Sequence, residues 1–97
     1  MNKEELFQVF IQLLYATYKS KNADYGDSFG ISYSKFGDMS ALVRISDKYN
    51  RLESSLSGKD ILVKDESIDD TIKDMANYCI MWLIERRLKE NDETWNI

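Results

Sequence analysis

Apolar residues recur at helical spacing in three long windows of the chain, and polar, turn-rich stretches separate them. The first window predicts a helix from about Lys3 to Lys19, with Asn2 as the N-cap and Glu5 as its capping-box partner. Its apolar side chains cover well over half of the helix circumference: Leu6, Phe7, Phe10, Ile11, Leu13, Leu14, Tyr15 and Tyr18. One neighbouring helix buries a narrower stripe, so this pattern favours a subunit interface.

The other two windows predict helices from Asp38 or Ser40 to Leu56 and from Asp65 or Ser67 to about Lys89. Residues 21–33, between the first two windows, are dense in turn formers and predict an ordered loop that carries aromatic side chains. Proline is absent, and the four glycines fall outside the periodic segments. The sequence therefore predicts an all-α fold, a small bundle of three main helices with an ordered loop after the first, completed by oligomerisation.

Length and composition limit the chain to one domain over residues 1–97, because 97 residues with 43% hydrophobic and 31% charged side chains are typical of a single globular unit. The net charge of −4 argues against duplex nucleic acid as a partner. The N-terminus lacks a signal-peptide core, and no apolar run approaches the about 18 residues of a membrane span. We expect a cytoplasmic protein with no membrane partner.

Histidine is absent and Cys79 is the only cysteine. Zinc sites, histidine-based acid–base catalysis and cysteine–histidine pairs therefore cannot be built from one chain. An enzyme with this composition has carboxylates and a hard metal such as Mg²⁺ to work with.

The second predicted helix places a charged stripe opposite its apolar face when residues are projected at about 100° per residue. The stripe consists of Arg44, Asp47, Lys48 and Arg51. Two interpretations remain open, a solvated face linked by ion pairs at i,i+3 and i,i+4 spacing, or a cationic surface for a ligand.

The third predicted helix carries an acidic stripe that turns apolar toward its C-terminal end. Glu66, Asp70, Asp74 and Asn77 share one face, and Met81, Ile84 and Leu88 continue it. A solvated face stays polar along its length, so we expect the carboxylates to lie at the edge of a cleft. Like charges at i,i+4 repel, which favours a bound cation such as Mg²⁺. The helix macrodipole is the alternative, and it accounts for Glu66 and Asp70 better than for Asp74.

Three blocks in order along the chain resemble a known family. They are residues 21–29 (KNADYGDSF), 44–51 (RISDKYNR) and 65–78 (DESIDDTIKDMANY). Together they resemble the nucleotide modification associated domain family of phages and bacteria. That family is similar to the all-α nucleoside triphosphate pyrophosphatases, the MazG-like superfamily, which are helical dimers or tetramers that cleave between the α- and β-phosphates with Mg²⁺.

The resemblance implies a nucleotide site between the second and third predicted helices, with Mg²⁺ or Mn²⁺ as cofactor. It implies metal-facing roles for Glu66, Asp70 and Asp74, and a hydrogen bond from Asn77 to water or substrate. Lys21, Arg44, Lys48 and Arg51 would bind the substrate, the last three by neutralising its phosphates. Glu66 or Asp47 would accept the proton of the attacking water.

The loop residues complete the implied site. Tyr25, with Phe29 behind it, would stack on the base, and Asp24 would read a base edge or a ribose hydroxyl. An aromatic loop that caps the core is an equally good interpretation of the same residues.

The chain departs from the superfamily's usual metal signature, in which a Glu-x-x-Glu helix faces a Glu-x-x-Asp helix. Here the second helix offers Arg44-x-x-Asp47, so a base replaces one expected acid. Three hypotheses follow: a nucleoside triphosphate pyrophosphatase that releases the monophosphate and pyrophosphate, a nucleotide-binding domain without turnover, and a helical protein-interaction module accessory to phage replication.

Overall fold

Four α-helices make up the part of the chain that the structure, a computed structural model, describes, which is residues 1–58 and 68–90. They are α1 (Lys3–Tyr25), α2 (Ser28–Phe36), α3 (Asp38–Leu56) and α4 (Ile68–Glu90). Within these residues there is no β-strand, and the all-α prediction is confirmed. None of the helices in this part of the chain combines the length and the apolar character needed to cross a membrane.

The sequence predicts three main helices with an ordered loop after the first. The predicted loop is wrong. The first helix continues past Lys19 to Tyr25, and the second half of the predicted loop belongs to the additional helix α2. Asp27 explains why turn formers are present there, because its carboxylate accepts a hydrogen bond of 3.0 Å from the backbone N–H of Gly30 and so caps α2. The turn residues mark the start of a helix rather than a loop.

Gly26 and Gly37 end α1 and α2 in backbone conformations that only glycine adopts readily. Both have φ of 67°, with ψ of −164° at Gly26 and −152° at Gly37. Side chains are essentially excluded from this region by steric clash. These two positions let the chain reverse between consecutive helices without a long connection.

Two of the predicted helix ends are confirmed, the start of α1 and the end of α3. The Asn2 side chain accepts a 2.8 Å hydrogen bond from the backbone N–H of Glu5, and the Glu5 carboxylate accepts one from the backbone N–H of Asn2. These two bonds confirm the predicted capping box. Helix α3 ends at Leu56, as predicted, before Gly58. The predicted start of the last helix, at Asp65 or Ser67, lies outside the described residues.

The buried core is thin, and every helix contributes to it. Among the described residues it consists of Leu14 from α1, Phe29 and Tyr33 from α2, Ala41 from α3 and Thr71 from α4. By contrast, all residues from Met1 to Leu13 are exposed. The N-terminal half of α1 therefore presents its apolar side chains to solvent in the single chain.

One carboxylate joins three helices, α2, α3 and α4. Asp38, at the start of α3, accepts hydrogen bonds of 2.8 Å from the Tyr33 hydroxyl, from Trp82 Nε1 and from Arg86 Nη1. The bond from Trp82, followed by those from Tyr33 and Arg86, lowers the pKa of Asp38 to about 2. The ionised carboxylate thus fixes α2 and α4 to the start of α3.

We expect the Asp38 contact to stabilise the fold at neutral pH and to lose its effect in acid. The folded-state pKa of about 2 lies below the ordinary value of 3.8, so the stabilisation is present above about pH 4 and disappears as the pH falls toward 2. Urea unfolding followed by circular dichroism should show Asp38→Asn less stable than the wild type at pH 7. The difference between the two proteins should shrink below pH 4, and a difference that stays constant from pH 7 to pH 2 would contradict this role.

Candidate functional site

A cavity of about 350 Å³ opens between α4 and the other three helices. Its volume is in the range of small-molecule sites in proteins. The lining residues are Tyr18, Lys21, Asn22, Gly26, Ser28, Phe29, Arg44, Asp74, Asn77, Tyr78 and Met81. Residues far apart in the sequence therefore meet around one space.

Stacked aromatic rings and a guanidinium group form one wall of the cavity. Phe29 is buried, and its ring stacks on Tyr78 with the centroids 6.0 Å apart and an angle of 16° between the planes. The guanidinium carbon of Arg44 lies 5.4 Å from the Phe29 centroid and 6.0 Å from the Tyr78 centroid, within cation–π range. Arg44 Nη2 also donates a 3.2 Å hydrogen bond to Ser32 Oγ. These contacts hold a permanently charged group in a fixed position beside the cavity.

Asp74 joins two lysines at another side of the cavity. Its Oδ1 lies 3.3 Å from Lys21 Nζ of α1, and its Oδ2 lies 2.9 Å from Lys48 Nζ of α3. The Asp74 and Lys48 side chains are only 20% and 17% exposed, whereas Lys21 is 60% exposed. Burial alone would raise the pKa of Asp74, but the hydrogen bond from Lys48 and the charges of both lysines outweigh it and lower the pKa. Asp74 is therefore ionised at neutral pH.

Asn77 lies one turn along α4 and links this helix to α1. Its Nδ2 donates a 3.1 Å hydrogen bond to the backbone carbonyl of Leu14. Asp74, Asn77 and Met81 all line the cavity, so the middle of the predicted acidic-to-apolar face of α4 borders a cleft, whereas Asp70 at its acidic end is not part of the lining.

The structure brings some of the predicted site residues together and not others. Lys21, Arg44, Asp74 and Asn77 line the cavity, and Lys48 contacts Asp74. Four further predicted residues are exposed and are not part of the cavity lining: Asp24, Asp47, Arg51 and Asp70. Asp70 pairs with Lys73 at 3.3 Å. Glu66 and the side chain of Tyr25 lie outside what the structure describes, so their predicted roles stay predictions.

The described residues do not by themselves fit a protein-held metal ion. Within residues 1–58 and 68–90, no three aspartate, glutamate or cysteine side chains lie close enough together to bind one. Asp74 is the single carboxylate of this part of the chain that lines the cavity, and each of its oxygens faces a lysine ammonium group. The role of Mg²⁺ or Mn²⁺ with Glu66, Asp70 and Asp74 stays a prediction.

Tyr18, Asn22 and Tyr78 line the cavity but were not among the predicted site residues, although helical spacing relates them to residues that were. Tyr78 lies four residues after Asp74, which is the neighbouring position on the same face of α4. Tyr18 and Asn22 share a face of α1 with Lys21, but only if the helix continues beyond Lys19, as it does in the structure. The error in the end of α1 therefore concealed these two residues.

Comparison with protein-family models gives a match over residues 21–85, to the family described as nucleotide modification associated domain 1. No curated protein and no solved structure matches the chain. The matched segment includes every residue that lines the cavity except Tyr18. Because the match covers about two thirds of the sequence, the chain belongs to the nucleotide modification associated domain 1 family.

Proposed function

We propose that the cavity between α4 and the other helices binds a nucleotide. The observation that carries this proposal is the meeting of three separate chain segments around one space, with cationic groups and aromatic rings side by side. Nucleotides offer phosphates to cations and a flat base to aromatic rings. The description of the family, which associates it with nucleotide modification, supports the same class of ligand.

The arrangement of the wall suggests how a nucleotide would be oriented. Lys21, Lys48 and Arg44 provide positive charge for the phosphates, and Arg44 retains further N–H donors of its five beyond the one that bonds Ser32. Tyr18 and Tyr78 are partly exposed and line the same cavity, so they provide ring surface for the base. Contacts of Asp24 and Tyr25 with the base remain part of this proposal.

Hydrolysis of a nucleoside triphosphate to the monophosphate and pyrophosphate is a narrower proposal for the same cavity. It is supported by the resemblance to MazG-like pyrophosphatases, in which Mg²⁺ supplies charge neutralisation and an activated water. The described carboxylates do not form a metal site by themselves, as shown above, so the geometry supports nucleotide binding better than it supports turnover.

A second copy of the chain is the partner that we propose for the exposed half of α1. Four large apolar side chains there are between 44% and 70% exposed: Phe7, Phe10, Ile11 and Leu13. They extend over about two turns of one helix, and such contiguous apolar surface is typical of interaction sites. Because the core is thin, pairing of two α1 helices would add the burial that the single chain lacks. A dimer or tetramer is therefore proposed.

Loss of the Arg44 charge should weaken nucleotide binding. Isothermal titration calorimetry with a panel of ribo- and deoxynucleoside triphosphates should give an affinity about 10 to 100 times lower for Arg44→Gln, as expected for a charged hydrogen bond. Arg87→Gln is the matched control, because Arg87 pairs with Glu90 and does not line the cavity. Circular dichroism verifies that both variants are folded. Equal affinities for the wild type and Arg44→Gln would place the nucleotide elsewhere.

Pyrophosphatase activity is tested with the same panel in the presence of Mg²⁺ or Mn²⁺. We expect pyrophosphate release by the wild type and a loss of at least about 100-fold in Asp70→Asn if the acidic residues of α4 hold the metal. Absence of release from every nucleotide, with binding intact, would leave a nucleotide-binding domain without turnover.

Disruption of the α1 face should dissociate the oligomer. Phe7→Glu places a charge in the proposed interface, and light scattering after size-exclusion chromatography should show the wild type as a dimer or tetramer and this variant as a monomer. Phe36→Glu is the control, since Phe36 of α2 is also 70% exposed. A monomeric wild type, or equal dissociation of both variants, would contradict the proposal.

A further inference from the structure

We infer that Asp74 is an internal anion that occupies the place of a ligand phosphate between Lys21 and Lys48, and that a phosphate displaces it without needing a metal ion. The inference rests on the proposed function, because it concerns how the same cavity takes the phosphates of a nucleotide. It assigns Asp74 the role of a competitor for the two lysines, where the sequence suggested a metal ligand.

The geometry of the two ion pairs carries the inference. Each oxygen of the Asp74 carboxylate faces a different ammonium group, at 3.3 Å for Lys21 and 2.9 Å for Lys48. The two lysines come from α1 and α3, so the carboxylate bridges two helices as a phosphate group bridges two cations. A phosphate presents oxygens at similar separation and carries more negative charge, which favours it over a carboxylate at a pair of ammonium groups.

The position of the bridge gives phosphate access to it. Asp74 and Lys21 both line the cavity, and Lys21 is 60% exposed, so its side chain can turn to a ligand without rearrangement of the helix. Lys48 is 17% exposed and contacts Asp74 from α3, but it is not itself part of the cavity lining. Removal of the carboxylate would take one negative charge away from two ammonium groups that lie within 3.3 Å of it, which favours another anion at the same place.

The competitor role and the metal-ligand role predict opposite effects of the same substitution. If Asp74 holds a metal ion that bridges to phosphate, its neutralisation weakens phosphate binding. If Asp74 competes with phosphate for the lysines, its neutralisation strengthens phosphate binding, and the effect persists when metal ions are removed. The sign of the change in affinity therefore separates the two roles.

The experiment measures binding of inorganic pyrophosphate and of the nucleoside triphosphate panel by calorimetry, in EDTA and then in Mg²⁺. In EDTA we expect Asp74→Asn to bind pyrophosphate about 3 to 10 times more tightly than the wild type, the size of a partly screened charge interaction. Asp69→Asn is the matched control, because it removes the same charge from the same helix at an exposed position outside this cavity. Its affinity should stay within about twofold of the wild type.

A second variant makes the test independent of how Asp74→Asn folds. Lys21→Gln changes a largely exposed side chain, and it should weaken pyrophosphate binding in EDTA by about 10-fold. Weaker pyrophosphate binding by a folded Asp74→Asn, or binding by the wild type only in Mg²⁺, would overturn the inference. Unchanged binding by Lys21→Gln would also overturn it.

The two proposals fail in different ways. If pyrophosphate binds in EDTA and responds to the variants as expected but no nucleotide binds, the proposed function fails and the lysine pair remains a phosphate site. If nucleotides bind only with Mg²⁺ and Asp74→Asn loses them, the proposed function remains and the inference fails.

Discussion

The contact of Asp74 with Lys21 and Lys48 is the interaction on which the cavity depends. It holds α1 and α3 to the same point of α4, and Asn77, one turn along α4, adds a hydrogen bond to the backbone of α1. Partly buried ion pairs often add little net stability, because the gain from attraction is offset by the loss of hydration. What they do provide is a defined separation between helices. In the absence of a ligand, α1 and α3 are thus fixed to the same carboxylate beside the cavity.

A comparison of Asp74 with Asp38 shows why one carboxylate is suited to a binding site and the other to the fold. Asp38 accepts hydrogen bonds from a tyrosine, a tryptophan and an arginine. The first two are neutral donors, which attract a phosphate less strongly than charged donors do. Asp74 contacts two lysines, whose ammonium groups attract accessible anions as point charges. The partners of Asp38 therefore favour a permanent contact, whereas the partners of Asp74 favour exchange of one anion for another.

Three features could be predicted from the sequence because they depend on neighbours within one or two turns. They are the helical class, the capping box at Asn2 and the end of α3. The same local rules gave a wrong prediction between residues 21 and 36, because Asp27 and the glycines there are compatible with two structures. Turn formers of this kind mark a loop or the junction of two helices, and the choice depends on whether tertiary contacts stabilise a short helix. Here Phe29 and Tyr33 are buried, and this packing favours α2. Helical projection placed Asp74 and Asn77 on one face of α4, and both line the cavity. It could not give the contact of Asp74 with Lys21, because these residues are 53 positions apart in the sequence.

A protein can bind phosphate through fixed cations, which are positively charged side chains held in place, or through a metal ion. The two need different groups from the surrounding chain. A metal ion needs several oxygen ligands in one place, and the described residues provide one carboxylate at the cavity. Fixed cations need a counter-charge and rigid support when no ligand is present. Arg44 obtains that support from the rings of Phe29 and Tyr78, and Asp74 provides a counter-charge beside the two lysines. The described part of the chain therefore meets the requirements of fixed cations more completely than those of a metal ion.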